Sequence, residues 1–575
     1  MRWGTYFKEN TKMDDKLKPK LFSVMKTYTK EQFIKDIVAG IIVAIIALPL
    51  SIALAIASGV GPEQGLYTAI VAGFIISFLG GSRVQIAGPT AAFATIVAGI
   101  VAKNGMSGLA IATIMAGIIL VIMGIFRFGN LIKFIPFTIT TGFTAGIAVT
   151  IAIGQLKDFF GITYKEGYKA PIETMDKVKA LAEHITRINP MALLIGIIAL
   201  VILIVWPYIN KVIPGSLIAV IVGSAIVKIS GINVLTIGDL YPNISSTLPH
   251  FTLPAITFDS VRNLLPDAFT IAILAGIESL LSCVVSDGMI GSRHRSNMEL
   301  VAQGAGNIAS ALFGGIPATG AIARTAANVK NGGRTPIAGM VHSVVLLLIL
   351  IVLMPFAKLI PMPVIAAILL MVAYNMSGIK TVGHILKRAP KSDIFVLIVT
   401  FVLTVVFDLV IAIGVGLVLS SFLFMKRMSD VTDIKDWKYI EDIEKNKEDN
   451  ENFDEENDKD SLRFKAVPKN TFVYEITGPL FFGASGKLSR IMDGVKADVV
   501  IIRMRSVPAL DSTAVNTLEN MINTFGKNKT KLIFSHVNEQ PYSVLKKAGI
   551  VEKIGEECFC KNIDEALLMA ETLTK

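Results

Sequence analysis

Long stretches without a charged residue constrain this chain more than any other feature of its sequence. Met191 to Trp206 and Val344 to Met354 contain no charged side chain, and the mean hydropathy of the chain is +0.62. Charged residues make up 17% of the 575 residues, whereas an ordinary soluble domain has about 25%. A water-soluble fold cannot cover several such stretches. The sequence therefore predicts an α-helical polytopic membrane protein.

The apolar segments number fourteen and follow a polar N-terminal arm. An even number of segments puts both termini on one side, together with the basic loops at Arg293–Arg295 and Lys387–Lys391. Because short basic loops stay in the cytoplasm, we predict cytoplasmic termini and a multi-pass protein of the bacterial inner membrane. The segments lie at 32–57, 66–79, 90–102, 107–126, 135–156, 191–207, 212–229, 265–286, 300–313, 320–330, 338–355, 360–376, 392–408 and 409–426.

Two of these segments are too short to cross about 30 Å of hydrocarbon. One opens at Gly88-Pro89-Thr90 and the other near Pro317 to Gly320, and each is the third in its set of seven. Short, interrupted segments at matching positions of two halves are typical of an inverted-repeat transporter whose substrate binds between half-helices. The alternative is a pair of re-entrant segments without a ligand.

The starts of both short segments carry small residues suited to an anion. The N-terminus of a helix offers free backbone N–H groups and a positive dipole end, so it binds an anion without a positive side chain. Arg324 lies one turn inside the second segment and would add a positive charge. The alternative for Thr90 is an ordinary helix cap, which is compatible with an anion site. The predicted anion-binding residues are Thr90, Ala91, Ala92, Gly320, Ala321 and Arg324.

Glu278 is the one charged residue in the stretch Ile271 to Ser282, which lies inside the apolar segment 265–286. A charged, unpaired carboxylate at this depth costs at least ~2.5 kcal/mol. We therefore predict that it is paired or protonated part of the time and that it couples transport to a proton or another cation, with Ser282 on the same helix face. A structural Glu bonded to a neighbouring helix is the alternative. His342, alone in an apolar segment, is interpreted as a packing residue with its hydrogen bonds satisfied, and a proton relay is the alternative.

The chain changes character after the last apolar segment. We predict an N-terminal arm at 1–31, a membrane domain at 32–428, an acidic linker at 429–468 and a small α/β domain at 469–575. The linker assignment rests on fourteen acids against five lysines from Asp430 to Asp460, a net charge of −9. The three cysteines form no metal-site or disulfide pattern, and no nucleotide-binding Gly-rich motif occurs, so we predict no cofactor, no metal, no nucleic-acid partner and no enzyme.

Short motifs, most of them containing Gly or Pro, occur along the chain. In the membrane part they are Ala47-Leu48-Pro49-Leu50, Gly65-Leu66-Tyr67, Gly80 to Arg83, Gly88 to Ala92, Gly304 to Asn307, Gly314 to Pro317 and Arg324-Thr325, and in the tail they are Gly478 to Phe482 and Val507 to Thr513. The first set resembles the SulP (sulfate permease) family of anion transporters, and the tail resembles the STAS domain that ends most members. The Pro49-Leu50 pair is similar to bacterial members that resemble C4-dicarboxylate carriers.

The resemblance implies a fold of seven plus seven inverted segments, with a core and a gate domain, elevator-like movement and a homodimer. It makes Thr90, Ala91, Gly320 and Ala321 the anion cradle, with Arg324 behind it, and it makes Glu278 the coupling acid. Members coupled to sodium carry a further hydroxyl where this chain has Ile322. The resemblance therefore favours proton symport over sodium symport here.

In the tail, Thr513 resembles a hydroxyl that is phosphorylated in soluble relatives of the STAS domain. A phosphate at a helix N-terminus is favourable, although Asp511-Ser512-Thr513 is also an ordinary capping sequence. The domain is expected to take a cytosolic protein partner.

The leading hypothesis is a proton-coupled secondary transporter of sulfate, bicarbonate or a C4-dicarboxylate. An uncoupled anion channel, or a membrane-anchored sensor with the STAS domain as its output, stays open as an alternative. Nucleobase transport on the same fold is disfavoured by Arg324 and by the tail domain.

Overall fold

The structure is a computed structural model. The chain divides into two compact units, Met1–Leu417 and Val418–Lys575. The structure describes residues 17–130, 136–165, 168, 171, 173–210, 213–242, 246–407, 409–437, 466–489, 491 and 497–575.

The first unit is helical, and a helix occurs in every one of the fourteen predicted segments. In chain order the helices are α1 Lys20–Val24, α2 Lys30–Ala57, α3 Pro62–Leu79, α4 Ala94–Ile125, α5 Phe137–Phe159, α6 Thr174–Glu183, α7 Pro190–Ile209, α8 Gly215–Ser230, α9 Ile237–Leu240, α10 Phe258–Ile290, α11 Ser296–Leu312, α12 Ile322–Lys330, α13 Pro336–Leu353, α14 Met362–Ser377, α15 Ile379–Arg388, α16 Lys391–Val406 and α17 Leu409–Val431, the last of which runs into the second unit.

Within the described ranges, nine helical stretches are long and apolar enough to cross a membrane. The expectation that only two segments are too short needs revision, because α8, α11 and α16 have 16 or 17 residues, at the lower limit for a span. Helix α14 also has 16 residues but reaches spanning length together with α15. In α11 the cause is visible in the sequence, since buried polar residues such as Gln303 and Asn307 face other parts of the protein rather than lipid.

Packing sorts the helices of the first unit into two groups. One consists of α2, α3, α4, α10, α11, α12 and α13, and the other is built mainly on α5, α7, α8, α14 and α16. The first group contains the first four segments of each predicted repeat, and the second contains later segments. The structure thus bears out the predicted seven-plus-seven arrangement.

Facing glycines allow α4 and α11 to pack closely. A Cβ on Gly117 would lie 2.7 Å from the Gly304 carbonyl oxygen, and a Cβ on Gly304 would lie 2.4 Å from the Gly117 carbonyl oxygen. Membrane helices associate without a hydrophobic driving force, and small residues at their interface let the two backbones pack closely. At Gly105, where φ is +65°, α4 breaks into the two pieces that the sequence predicts.

The second unit contains a five-stranded sheet. Strands β1 Ala87–Gly88 and β2 Thr319–Gly320 belong to the membrane unit. The strands of the sheet are β3 Asp433–Trp437, β4 Thr471–Thr477, β5 Val499–Ser506, β6 Lys531–Ser535 and β7 Phe559–Cys560, in the order β3-β4-β5-β6-β7. The β3–β4 pair is antiparallel and the others are parallel. The helices are α18 Ser485–Ser489, α19 Ser512–Lys527, α20 Glu539–Lys547, α21 Ile550–Ile554 and α22 Ile563–Thr574.

The start of the predicted acidic linker, 429–468, is structured. Helix α17 continues to Val431, and β3 pairs with β4 along its whole length. Ile434 packs against the apolar core of the sheet, which explains why a charge-rich sequence forms a strand here. Most of the remaining predicted linker, 438–465, lies outside the described residues.

Candidate functional site

Two short strands cross directly before the two short helices. Strand β1, Ala87–Gly88, pairs antiparallel with β2, Thr319–Gly320, so that Ala87 lies opposite Gly320 and Gly88 opposite Thr319. Pro89 and Thr90 follow β1, and the chain then enters a short 3-10 turn, Ala91–Phe93, and α4. Ala321 follows β2 and caps α12. The crossing brings the N-termini of both half-helices to one place, as the sequence predicts.

Arg324 is the positive group at this crossing. It is 1% exposed, and its Nη2 donates to the carbonyl oxygen of Pro89 at 2.7 Å. Its Nε and Nη1 are buried without a hydrogen-bond partner among the described residues. A buried guanidinium with unused donors is costly unless an acceptor is supplied. The arrangement therefore favours an anionic ligand beside Nη1.

Glu278 lies on the other side of Thr90. Thr90 Oγ1 donates to Glu278 Oε2 at 2.9 Å, so its hydroxyl joins the first half-helix to α10 rather than capping its own helix. Ser282, one turn further along α10, instead donates to Thr325 Oγ1 at 3.3 Å. The expected pair of Glu278 and Ser282 thus faces two different partners, one on each half-helix.

Part of the predicted cradle has its backbone donors already in use. The Gly320 N–H donates to Ser279 Oγ at 3.0 Å and the Ala321 N–H to the Ile86 carbonyl at 2.8 Å. These two amides cannot also bind an anion, so the expectation is revised: the second half-helix offers the first N–H groups of α12, which have no acceptor within their own helix. Ala91 and Ala92 are buried at the start of the first half-helix.

Buried polar residues that sequence reasoning missed hold the crossing in place. Glu299 is fully buried and accepts from the backbone N–H groups of Gly81 and Ser82 and from Gln85 Nε2, at 2.8, 3.1 and 2.8 Å. Ser279 bonds Thr319 Oγ1 at 2.7 Å. Glu299 directly precedes the apolar segment 300–313, so its position in the sequence indicated only weakly that it would be buried.

The interpretation of His342 as a satisfied packing residue is not what the structure shows. His342 is 0% exposed, but neither ring nitrogen has a hydrogen-bond partner in the described part of the chain.

In the second unit, Asp511 caps α19 by accepting from the Ala514 N–H at 2.9 Å. Thr513 lies exposed in the first turn of that helix. The capping interpretation of this sequence is confirmed, and phosphorylation of Thr513 stays a prediction.

Two half-helices that start from crossed strands inside a polytopic helical domain, followed by a small α/β domain, define a membrane transporter of the inverted-repeat class. The sulfate permease family matches residues 33–400, and the STAS domain matches residues 465–566. The chain therefore belongs to the sulfate permease family and carries a C-terminal STAS domain.

Relatives with transporter names cover most of the chain. YvdB of Bacillus subtilis (strain 168), whose given name refers to sulfate transport, is 41% identical over 94% of this chain and 98% of its own length. The bicarbonate transporter BicA of Synechocystis sp. is 29% identical over 80% of this chain and 81% of its own. The structure of the murine Slc26a9 anion transporter superposes with a TM-score of 0.83 over 97% of this chain and 94% of that one, at 19% identity, which shows a shared fold.

Proposed function

We propose that this protein is a secondary active transporter of small oxyanions that binds its substrate between Arg324 and the starts of the two half-helices. The observation that supports this most is Arg324 itself, a fully buried guanidinium whose Nε and Nη1 have no protein partner among the described residues. The free N–H groups at Ala91, Ala92 and the first turn of α12 would supply further donors. Sulfate, bicarbonate and C4-dicarboxylates all offer oxygens for this set of donors.

We also propose that Glu278 carries the proton that accompanies the anion. Its contact with Thr90 ties it to the first half-helix. Protonation gives a carboxylate an O–H donor in addition to its acceptors. The hydrogen bond between Glu278 and Thr90 would therefore change when Glu278 is protonated, and Thr90 lies at the anion site. An anionic Glu278 would also repel a bound anion, which links loss of the proton to release of the substrate.

Movement of the first helix group against the second, in the manner of an elevator, would carry this site across the membrane. We propose a homodimer in the bacterial inner membrane with both termini in the cytoplasm. The basic N-terminal arm and the loop at Arg293–Arg295 support this orientation.

Uptake into proteoliposomes tests the proposal. Labelled sulfate, bicarbonate, succinate and fumarate would be supplied with an inward proton gradient, with an inward sodium gradient, and with neither. We expect one class of anion to accumulate against its gradient only when protons flow inward. Accumulation driven by sodium would contradict the role assigned to protons, and transport of none of these anions would contradict the proposed function.

A further inference from the structure

A second cationic cavity lies apart from the Arg324 site, at the end of the membrane unit where the N-terminal arm meets the helices. Its volume is about 270 Å³, and its wall includes Tyr28, Gln32, Arg83, Arg334 and Thr335. We call it the arginine pocket. Its size is close to the lower end of the range for small-molecule sites, about 300 to 1,000 Å³.

No acid among the described residues neutralises the two guanidiniums of the arginine pocket. Arg83 Nε is buried and has no hydrogen-bond partner among the described residues. Arg334 Nη1 donates only to backbone carbonyls, those of Val329 at 2.7 Å and Gly333 at 2.8 Å. Within the described ranges neither side chain forms an ion pair with an acid. Two positive charges therefore share one small cavity.

The nearest carboxylate, Asp36, is already saturated. It is 0% exposed and accepts from Tyr28 Oη at 2.9 Å and Gln32 Nε2 at 2.9 Å. It also accepts from the Arg334 backbone N–H at 2.9 Å and Thr335 Oγ1 at 2.5 Å. With four donors bound, Asp36 fixes the walls of the arginine pocket rather than pairing with its guanidiniums.

From this geometry we infer that the arginine pocket binds a phosphate group. The planar fork of Arg matches the oxygens of a phosphate in pairs, and such charge-assisted contacts are roughly twice as strong as neutral hydrogen bonds. Thr27, Tyr28 and Gln32 in the same wall already donate within the protein, to the Val24 carbonyl, to Asp36, and to Asp36 and the Gly332 carbonyl. The guanidiniums therefore supply the donors for the phosphate oxygens. The phosphate belongs either to a free phosphorylated anion or to the headgroup of an anionic lipid.

The position of the arginine pocket connects it to both half-helices. Arg83 lies on the segment that leads into β1 and the first half-helix. Arg334 holds the last carbonyls of α12, the second half-helix, through Val329. Asn328 joins the two segments by donating to the Val84 carbonyl at 2.9 Å. A phosphate group in the pocket would thus contact the supports of both halves of the anion site.

Calorimetric titration of the full-length protein with inorganic pyrophosphate tests the inference. In phosphatidylcholine nanodiscs we expect binding that weakens at least tenfold in Arg83→Gln and in Arg334→Gln. Arg187→Gln, which removes an exposed arginine elsewhere on the unit, is the matched charge control and should bind as the unmodified protein does. Arg83→Lys and Arg334→Lys keep the charge without the fork and should give intermediate affinity, which provides a test should either Gln variant fail to fold.

The lipid composition of the nanodiscs distinguishes the two sources of the phosphate, a free anion and a lipid headgroup. In nanodiscs containing phosphatidylglycerol, pyrophosphate affinity should fall at least tenfold if the headgroup occupies the arginine pocket, and it should stay unchanged if the ligand is a free anion. Either result supports a phosphate site. Absence of pyrophosphate binding in phosphatidylcholine, or binding that Arg83→Gln and Arg334→Gln leave unaltered, would overturn the inference.

Discussion

A single added methyl group at Gly88 should weaken anion binding without unfolding the protein. A Cβ at this position would lie 2.5 Å from Arg324 Nη1, while its other near neighbours, the Cα and Cβ of Ala69, would be at an ordinary 3.5 Å. The conflict is therefore with the tip of one side chain and not with the backbone. Gly88→Ala should displace the guanidinium from the place where the proposed anion binds.

The size of the effect follows from the contact that is lost. A hydrogen bond to a charged group contributes about 1.5 to 3 kcal/mol, and each 1.4 kcal/mol corresponds to a factor of ten in affinity. Losing one such contact from Arg324 Nη1 to the anion predicts a dissociation constant about 10 to 150 times higher. The melting temperature should change little, because the displaced group is the flexible end of one side chain.

Gly99→Ala is the matched control. Gly99 lies on α4, and a Cβ there would meet nothing within 4 Å, so the same chemical change should leave affinity unaltered. Equilibrium binding of the anion selected by the uptake panel would be measured for the two purified variants. Equal affinities in Gly88→Ala and Gly99→Ala would refute the placement of the anion beside Nη1.

Three further outcomes are expected. Arg324→Gln should lower anion affinity at least tenfold and Arg324→Lys should restore it only in part, because an ammonium lacks the planar fork; unchanged affinity in Arg324→Gln would exclude this residue from the site. Glu278→Gln should keep anion exchange between proteoliposomes and medium but lose accumulation driven by a proton gradient, whereas accumulation equal to that of the unmodified protein would place the coupling acid elsewhere. Burial and the bond to Asp36 raise the pKa of Tyr28 from 10.0 to about 12. The free energy of unfolding, relative to that of Tyr28→Phe, should therefore be constant below pH 10 and fall as the pH rises toward 12. Unfolding curves measured at alkaline pH test this, and a difference between the two proteins that does not change with pH would contradict it.

The sequence predicted those parts of the fold that depend on local patterns. Apolar length located the helices, and the Gly-Pro breaks before Thr90 and Gly320 located the half-helices. In the tail, the apolar runs at 471–477, 499–504 and 531–535 predict strands that coincide with β4, β5 and β6, except that β5 extends two residues further. Strand β3 was missed because its five residues hold three charges, and their pairing with β4 across a long insertion leaves no local signal.

The sequence identified the residues of the site by their type, but it did not predict which residues they contact. Arg324 and Glu278 stand out because charges are rare in apolar segments. The bond from Thr90 to Glu278 joins residues 188 positions apart, and no spacing rule reveals such a contact. For the same reason, the sequence could not show that the Gly320 and Ala321 amides are used by Ser279 and Ile86. Tertiary partners decide which donors remain for a ligand.

The most direct test of the account is to locate the anion itself. Crystals of the protein would be grown with selenate, a heavy analogue of sulfate, or with bromosuccinate if the uptake panel selects a dicarboxylate, and the heavy atom would be found by anomalous scattering. The account predicts one peak within hydrogen-bonding reach of Arg324 Nη1, between the start of the first half-helix at Ala91 and the first turn of α12. A peak elsewhere in the membrane unit, with none at Arg324 at saturating concentration, would contradict it.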